Sequence, residues 1–168
     1  MQDLSNWLTE SYLNTVFSDT THLETWLIIP VSQSLHILAV AFVAIAVGVL
    51  NLRLLGVAGT RHSFAELSTQ LIPWIWSALI VLFVTGAVQT IAEPSRELMN
   101  VTFRTKMLLL LITVGITVFY QVQVKKNPEY WDQRRELAWL LASVSLVLWV
   151  GIVAAGRLIA YMGAIETF

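Results

Sequence analysis

The chain contains no cysteine, which excludes disulfides, thiolate metal sites and cysteine nucleophiles and leaves the redox compartment open. Charge is scarce as well: 12% of the 168 residues are charged against 57% hydrophobic, and ten basic side chains nearly balance eleven acidic ones. The basic residues form no stripe, so no nucleic-acid partner is expected. Internal repeats and low-complexity tracts are missing, which leaves solenoids and duplicated transporters without support. The opening segment MQDLSNWLTESYLN has no basic stretch ahead of an apolar run. A cleavable signal peptide is therefore not expected, and the first spanning helix is expected to direct insertion.

What remains is largely apolar. Runs at about 26–50, 71–92, 101–124 and 137–162 are each long enough to cross a bilayer as a helix. Short connections make them an all-α, up-down-up-down four-helix bundle, a single membrane domain over 1–168. Ser63-Phe64-Ala65-Glu66 has the capping-box pattern and predicts a helix start, and Asn100 is placed to cap the third helix. Ala44 and Gly48 have the small-xxx-small spacing that lets another helix approach closely. Residues 4–17 place Leu4, Trp7, Leu8, Tyr12, Val16 and Phe17 on one side, so 1–20 reads as an amphipathic helix on the outer surface. It lacks a basic polar face, and is expected to cap the bundle or to meet a partner protein.

Orientation follows from lysine and arginine. Arg53 and Arg61 lie in the first connection and Lys125, Lys126, Arg134 and Arg135 in the third, whereas the amino-terminal segment has none and the second connection only Arg96. The positive-inside rule then predicts a bacterial inner-membrane protein with both termini periplasmic. Trp26 and Tyr161 are expected near the outer boundary, and Trp74, Trp76, Tyr120, Trp131 and Trp139 near the inner one.

Within this apolar frame, His36 stands out. It lies roughly 15 Å along the helix from Trp26 at about 1.5 Å per residue, near mid-membrane. Ser32 and Gln33 precede it by four and three residues and share its face. Gln89 and Glu93 end the second span, Arg104 and Lys106 open the third, and Arg157 lies late in the fourth. An ionisable residue at a helix centre costs roughly 2.5–3.5 kcal/mol on insertion scales, which makes His36 the leading functional candidate. A neutral imidazole is a good axial ligand to haem iron, and basic side chains such as Arg104 and Arg157 suit the propionates. No second histidine lies in a span. The sixth position falls to His22 folding inward, to a second copy of the chain, to Lys106 or Met107, or stays empty. Arg104 and Lys106 are two positions apart and diverge by about 200°, so at most one faces the bundle centre. One histidine and one edge carboxylate do not make a first shell for a bare metal ion.

The residues Trp26 to Pro30, Ser34-Leu35-His36, Gly48, Asn51-Leu52-Arg53-Leu54-Leu55-Gly56 and Asn100-x-x-Phe103-Arg104-x-Lys106 resemble a family of small uncharacterised bacterial membrane proteins with four spans. More distantly, the Leu-His start of a span, its later glycine and its terminal arginine resemble the HemJ protoporphyrinogen oxidases and the CopD copper-resistance membrane proteins. That resemblance implies haem binding at a histidine and at a lysine opening a later span, places matched here by His36 and Lys106. The expectation is a b-type haem-binding subunit with His36 on the iron and Lys106, Arg104, Arg157, Gln33 and Gln89 around the group. It would carry electrons between quinone or a membrane dehydrogenase and a periplasmic partner. The alternatives are a non-redox assembly subunit and, more weakly, copper or small-solute transport. Membrane lipid is an expected partner, and a protein partner or a second copy of the chain stays open.

Overall fold

The computed structural model describes residues 2–18 and 23–165, without the side chains at 18, 23–26, 96 and 159–165. His22 and the side chains of Trp26 and Tyr161 therefore lie outside the described residues. The helices are α1 (Gln2–Thr9), α2 (Tyr12–Ser18), α3 (Leu23–Leu54), α4 (Phe64–Ala92), α5 (Pro94–Leu98), α6 (Val101–Lys126), α7 (Tyr130–Gln133) and α8 (Arg135–Ile165). Four of them, α3, α4, α6 and α8, are long and apolar enough to cross a membrane. They form an all-α bundle, with no strand among the described residues.

These helices bury a narrow stripe and leave the rest of their apolar surface outward. Val43, Leu50, Ile75 and Ala142 are closed off, whereas Ile45, Phe83, Leu111 and Val147 are each more than two-thirds exposed. A helix apolar on all sides is what a lipid surround requires, because lipid covers the outward face. Around the square, α3 lies along α4 and α6 along α8, α3 also packs on α8, and α4 meets α6 least. At Gly48 an added Cβ would meet nothing within 4 Å, so the close approach expected from the Ala44/Gly48 spacing does not occur there.

The ends have local causes. The Ser63 hydroxyl accepts from the Glu66 N–H at 3.1 Å and the Glu66 carboxylate accepts from the Ser63 N–H at 3.0 Å, a complete capping box. Asn100 Oδ1 accepts from the Thr102 N–H at 2.8 Å. Gly56, with φ +75°, closes α3, because the Val57 N–H to Leu52 carbonyl bond at 3.0 Å needs a left-handed residue at this position. The end that carries the connections α3–α4 and α6–α8 holds the loop arginines and lysines and is called the basic end here; the opposite one is the terminal end.

The segment expected as one surface helix is two. Ser11 breaks it, its hydroxyl donating to the Leu8 carbonyl at 2.6 Å and accepting from the Asn14 N–H at 3.2 Å, so it caps α2 instead of continuing α1. Both helices dock on the terminal end. Asn14 Nδ2 donates to the carbonyls of Ile91 and Ala92 at 2.7 and 3.1 Å, and Ser5 and Ser95 share a 3.4 Å hydroxyl contact. Leu4, Trp7, Tyr12 and Leu13 stay exposed.

At the basic end, Trp131 sits in the α6–α8 connection and is turned into the protein rather than outward. It is 1% exposed, held edge-on by Phe64, Phe119, Tyr120 and Tyr130 at centroid distances of 5.0–6.0 Å. The one-turn helix α7 folds it inward. Trp74 and Trp139 are exposed on the outside of the bundle.

Candidate functional site

Thr85 is the hub of the polar cluster in the terminal half. Its hydroxyl donates into its own helix, to the Val81 carbonyl at 2.7 Å, as threonine in a helix commonly does. With that one proton engaged, Thr85 Oγ1 can only accept from His36 Nδ1, 2.8 Å away. Nδ1 therefore carries the ring proton and Nε2 keeps its lone pair. The Thr85 carbonyl receives two further donors, Ser32 Oγ at 3.3 Å and Gln89 Nε2 at 3.2 Å. Three side chains thus converge on one residue: Ser32 and His36 from α3, and Gln89 from α4.

The remaining two spans complete the centre. A Cβ on Gly86 would stand 3.5 Å from His36 Cε1, and one on Gly156 would stand 4.0 Å from Lys106 Nζ. The imidazole therefore lies over bare backbone of α4, and the lysine amine over bare backbone of α8. Lys106 is within electrostatic reach of both His36 and Glu97. Above this level is a crevice of about 10 Å³ between the ends of α3, α4 and α5, lined by Ile29, Gln33, Gln89, Ala92, Glu93 and Glu97. It has room for about one water.

Of the residues singled out from sequence, the structure brings His36, Gln89 and Lys106 together. Lys106 is the one of the Arg104/Lys106 pair that turns inward. Gln33 reaches only the crevice, and Arg104 and Arg157 are exposed on the helix surfaces. No group of three or more His, Cys, Asp or Glu able to hold a metal ion occurs among the described residues. Thr85 was missed from the sequence, where the Thr85/Gln89 spacing of four, one turn apart beside Gly86, was its available signal.

A second polar group lies toward the basic end. Asn51 is fully buried; its Oδ1 accepts from the Tyr120 hydroxyl at 3.2 Å and its Nδ2 donates to Ser145 Oγ at 2.9 Å. It ties α3, α6 and α8 together.

With this geometry in view, the comparison with protein families is decisive for membership. Residues 6–162 match the model of DUF6644, a family of unknown function. The chain belongs to that family. No curated protein and no solved structure matches it, so the HemJ and CopD resemblance gains no support from these comparisons. The matched residues take in the second half of α1, all of α2 to α7, most of α8 and the whole His36 cluster.

Proposed function

We propose that this DUF6644 member is a haem-binding protein of the bacterial inner membrane, with His36 on the iron and electron transfer as its role. One observation carries the reading: the hydrogen bond from His36 Nδ1 to Thr85 leaves Nε2 as a free lone pair in the bundle centre. Fixing a ligating histidine through its other ring nitrogen is the usual arrangement at metal centres. The residues fit the iron better than they fit the macrocycle. Lys106 offers a second nitrogen nearby, and Gly86 and Gly156 present no side chain. The one crevice beside the cluster holds about one water, at about 10 Å³. Uptake of a flat ring therefore requires the bundle to open, and the α4/α6 seam, where the spans touch least, is the place with the least packing to lose.

A bound haem supplies a one-electron couple. The protein's own part is to hold the imidazole orientation through Thr85, to keep Lys106 at the same depth, and to exclude water through the closed core between Ala39 and Val43. Arg104 and Arg157, expected as propionate partners, are exposed, and in this reading they serve the bundle surface. The test is the absorbance spectrum of protein purified from haem-replete cells. A Soret band that disappears in His36→Ala is expected; no band in the wild type, or an unchanged band in the variant, overturns the proposal.

The orientation belongs to the same reading: the six cations at the basic end favour a cytoplasmic basic end and periplasmic termini. Because the chain has no cysteine, Thr60→Cys reports on this directly. Labelling by an impermeant maleimide is expected only after the inner membrane is opened.

A second reading, an assembly subunit without a redox group, is favoured by the amino-terminal helices. They turn Ser5 and Asn14 to the bundle and leave Leu4, Trp7, Tyr12 and Leu13 outward, a surface suited to the membrane boundary or to a partner. It predicts a co-purifying protein and no chromophore.

A further inference from the structure

The seam between α4 and α6 widens at the basic end into a cleft of about 370 Å³, within the range of small-ligand sites, about 300–1,000 Å³. Along α4 its lining runs from Ser68 and Thr69, nearer the basic end, to the apolar Ile72, Pro73 and Trp76 further along the span, and α6 faces these with Lys125, Val124 and Gln121 in the same direction. This is the polarity sequence of a lipid, headgroup toward the basic end and chain along the span.

The donors are arranged for an anion. Trp76 Nε1 donates to Gln121 Oε1 at 3.4 Å. An indole nitrogen only donates, so the carboxamide oxygen faces Trp76 and the amide nitrogen keeps both protons. Neither that nitrogen nor Lys125 Nζ has a protein acceptor among the described residues. Gln121 and Lys125 are one turn apart on α6 and therefore share a face. Thr69 donates to the Ala65 carbonyl at 2.8 Å, which leaves its oxygen as an acceptor at the same end of the cleft.

We propose that this cleft binds one anionic glycerophospholipid from the leaflet at the basic end. The phosphate is held by Lys125 and the Gln121 amide, an acyl chain lies along Ile72, Pro73 and Trp76, and the Thr69 oxygen accepts from a headgroup hydroxyl. Basic pockets between spanning helices are recognised sites for anionic headgroups. The site is separate from His36 and holds whether or not that residue binds haem.

The test uses the full chain in detergent, with phosphatidylglycerol and phosphatidylcholine of identical chains added in equal amounts and the retained lipid read by native mass spectrometry. Wild-type protein is expected to retain phosphatidylglycerol about fivefold over phosphatidylcholine. Lys125→Gln should bring the ratio near one, and Lys126→Gln, outside the cleft, should leave it unchanged. Equal retention by the wild type, or a ratio that Lys125→Gln does not move, overturns the proposal. Displacement of the lipid by inorganic phosphate alone would assign the site to a free anion instead. As a second readout, phosphatidylglycerol with brominated chains should quench wild-type fluorescence more than that of Trp76→Phe; identical quenching would place the chain elsewhere and count against the site.

Discussion

At the basic end of the bundle the Asn51 carboxamide is engaged on both sides, by Tyr120 and by Ser145, under a cap of four aromatic rings around Trp131. At the terminal end the His36 imidazole is engaged on one side only, by Thr85, and Lys106 Nζ stands across a glycine from α8. Both groups place polar atoms among apolar helices, and both join at least two spans. They differ in what is left over. A polar group with both sides engaged fixes the register of its neighbours, because any slip leaves a buried donor or acceptor unpaired. A ring held by one nitrogen keeps its orientation and still has a lone pair to give.

Substitutions that separate these two roles should differ in size and in readout. The largest loss is expected from Trp131→Ala, about 3–5 kcal/mol of stability through the cavity it leaves, seen as a lowered unfolding midpoint in detergent by circular dichroism. Asn51→Leu should cost about 1–2 kcal/mol by stranding Tyr120 and Ser145, and the spectrum of any group bound at His36 should be unchanged. If Asn51→Leu instead altered that spectrum, the two ends would be one coupled unit. Ser63→Ala removes the cap of α4 and should lower stability by about 1 kcal/mol in the same unfolding measurement. Thr85→Val should have the smallest effect on stability, under about 0.6 kcal/mol, yet weaken haem binding about tenfold in a titration followed at the Soret band. A Thr85→Val protein that unfolds early but titrates normally would make the terminal cluster a packing device like its counterpart.

Much of the frame was legible in the residues because its causes are local. The capping box at Ser63 and the cap at Asn100 are short-range chemistry, and the four apolar runs need only their length. The helices extend past the apolar runs, α4 from the start that the capping box at Ser63 predicts and α3 on to Leu54, because hydropathy marks the membrane and not the end of backbone hydrogen bonding. The break at Ser11 was hidden by an amphipathic period that runs through it. At the site, His36 was visible as the one ionisable residue deep in its span, and the 200° separation of Arg104 and Lys106 showed that one must turn away. Which one turns inward depends on the packing of α6 against α8. Thr85 was the hardest to see, since its partner is 49 positions away and threonine is unremarkable in an apolar run. The burial of Trp131 was not legible, because nothing near it in sequence marks the turn of α7 that folds it against Phe64.

The bonds from Asn14 to the carbonyls of Ile91 and Ala92 set an order of events during synthesis. Residue 14 leaves the ribosome long before residues 91 and 92 exist, so the amino-terminal helices have no seat until the first hairpin of spans has been threaded. Their docking is a latch that closes only on a finished α3–α4 pair, and a chain stalled before that point would present Leu4, Trp7, Tyr12 and Leu13 on an unfastened arm.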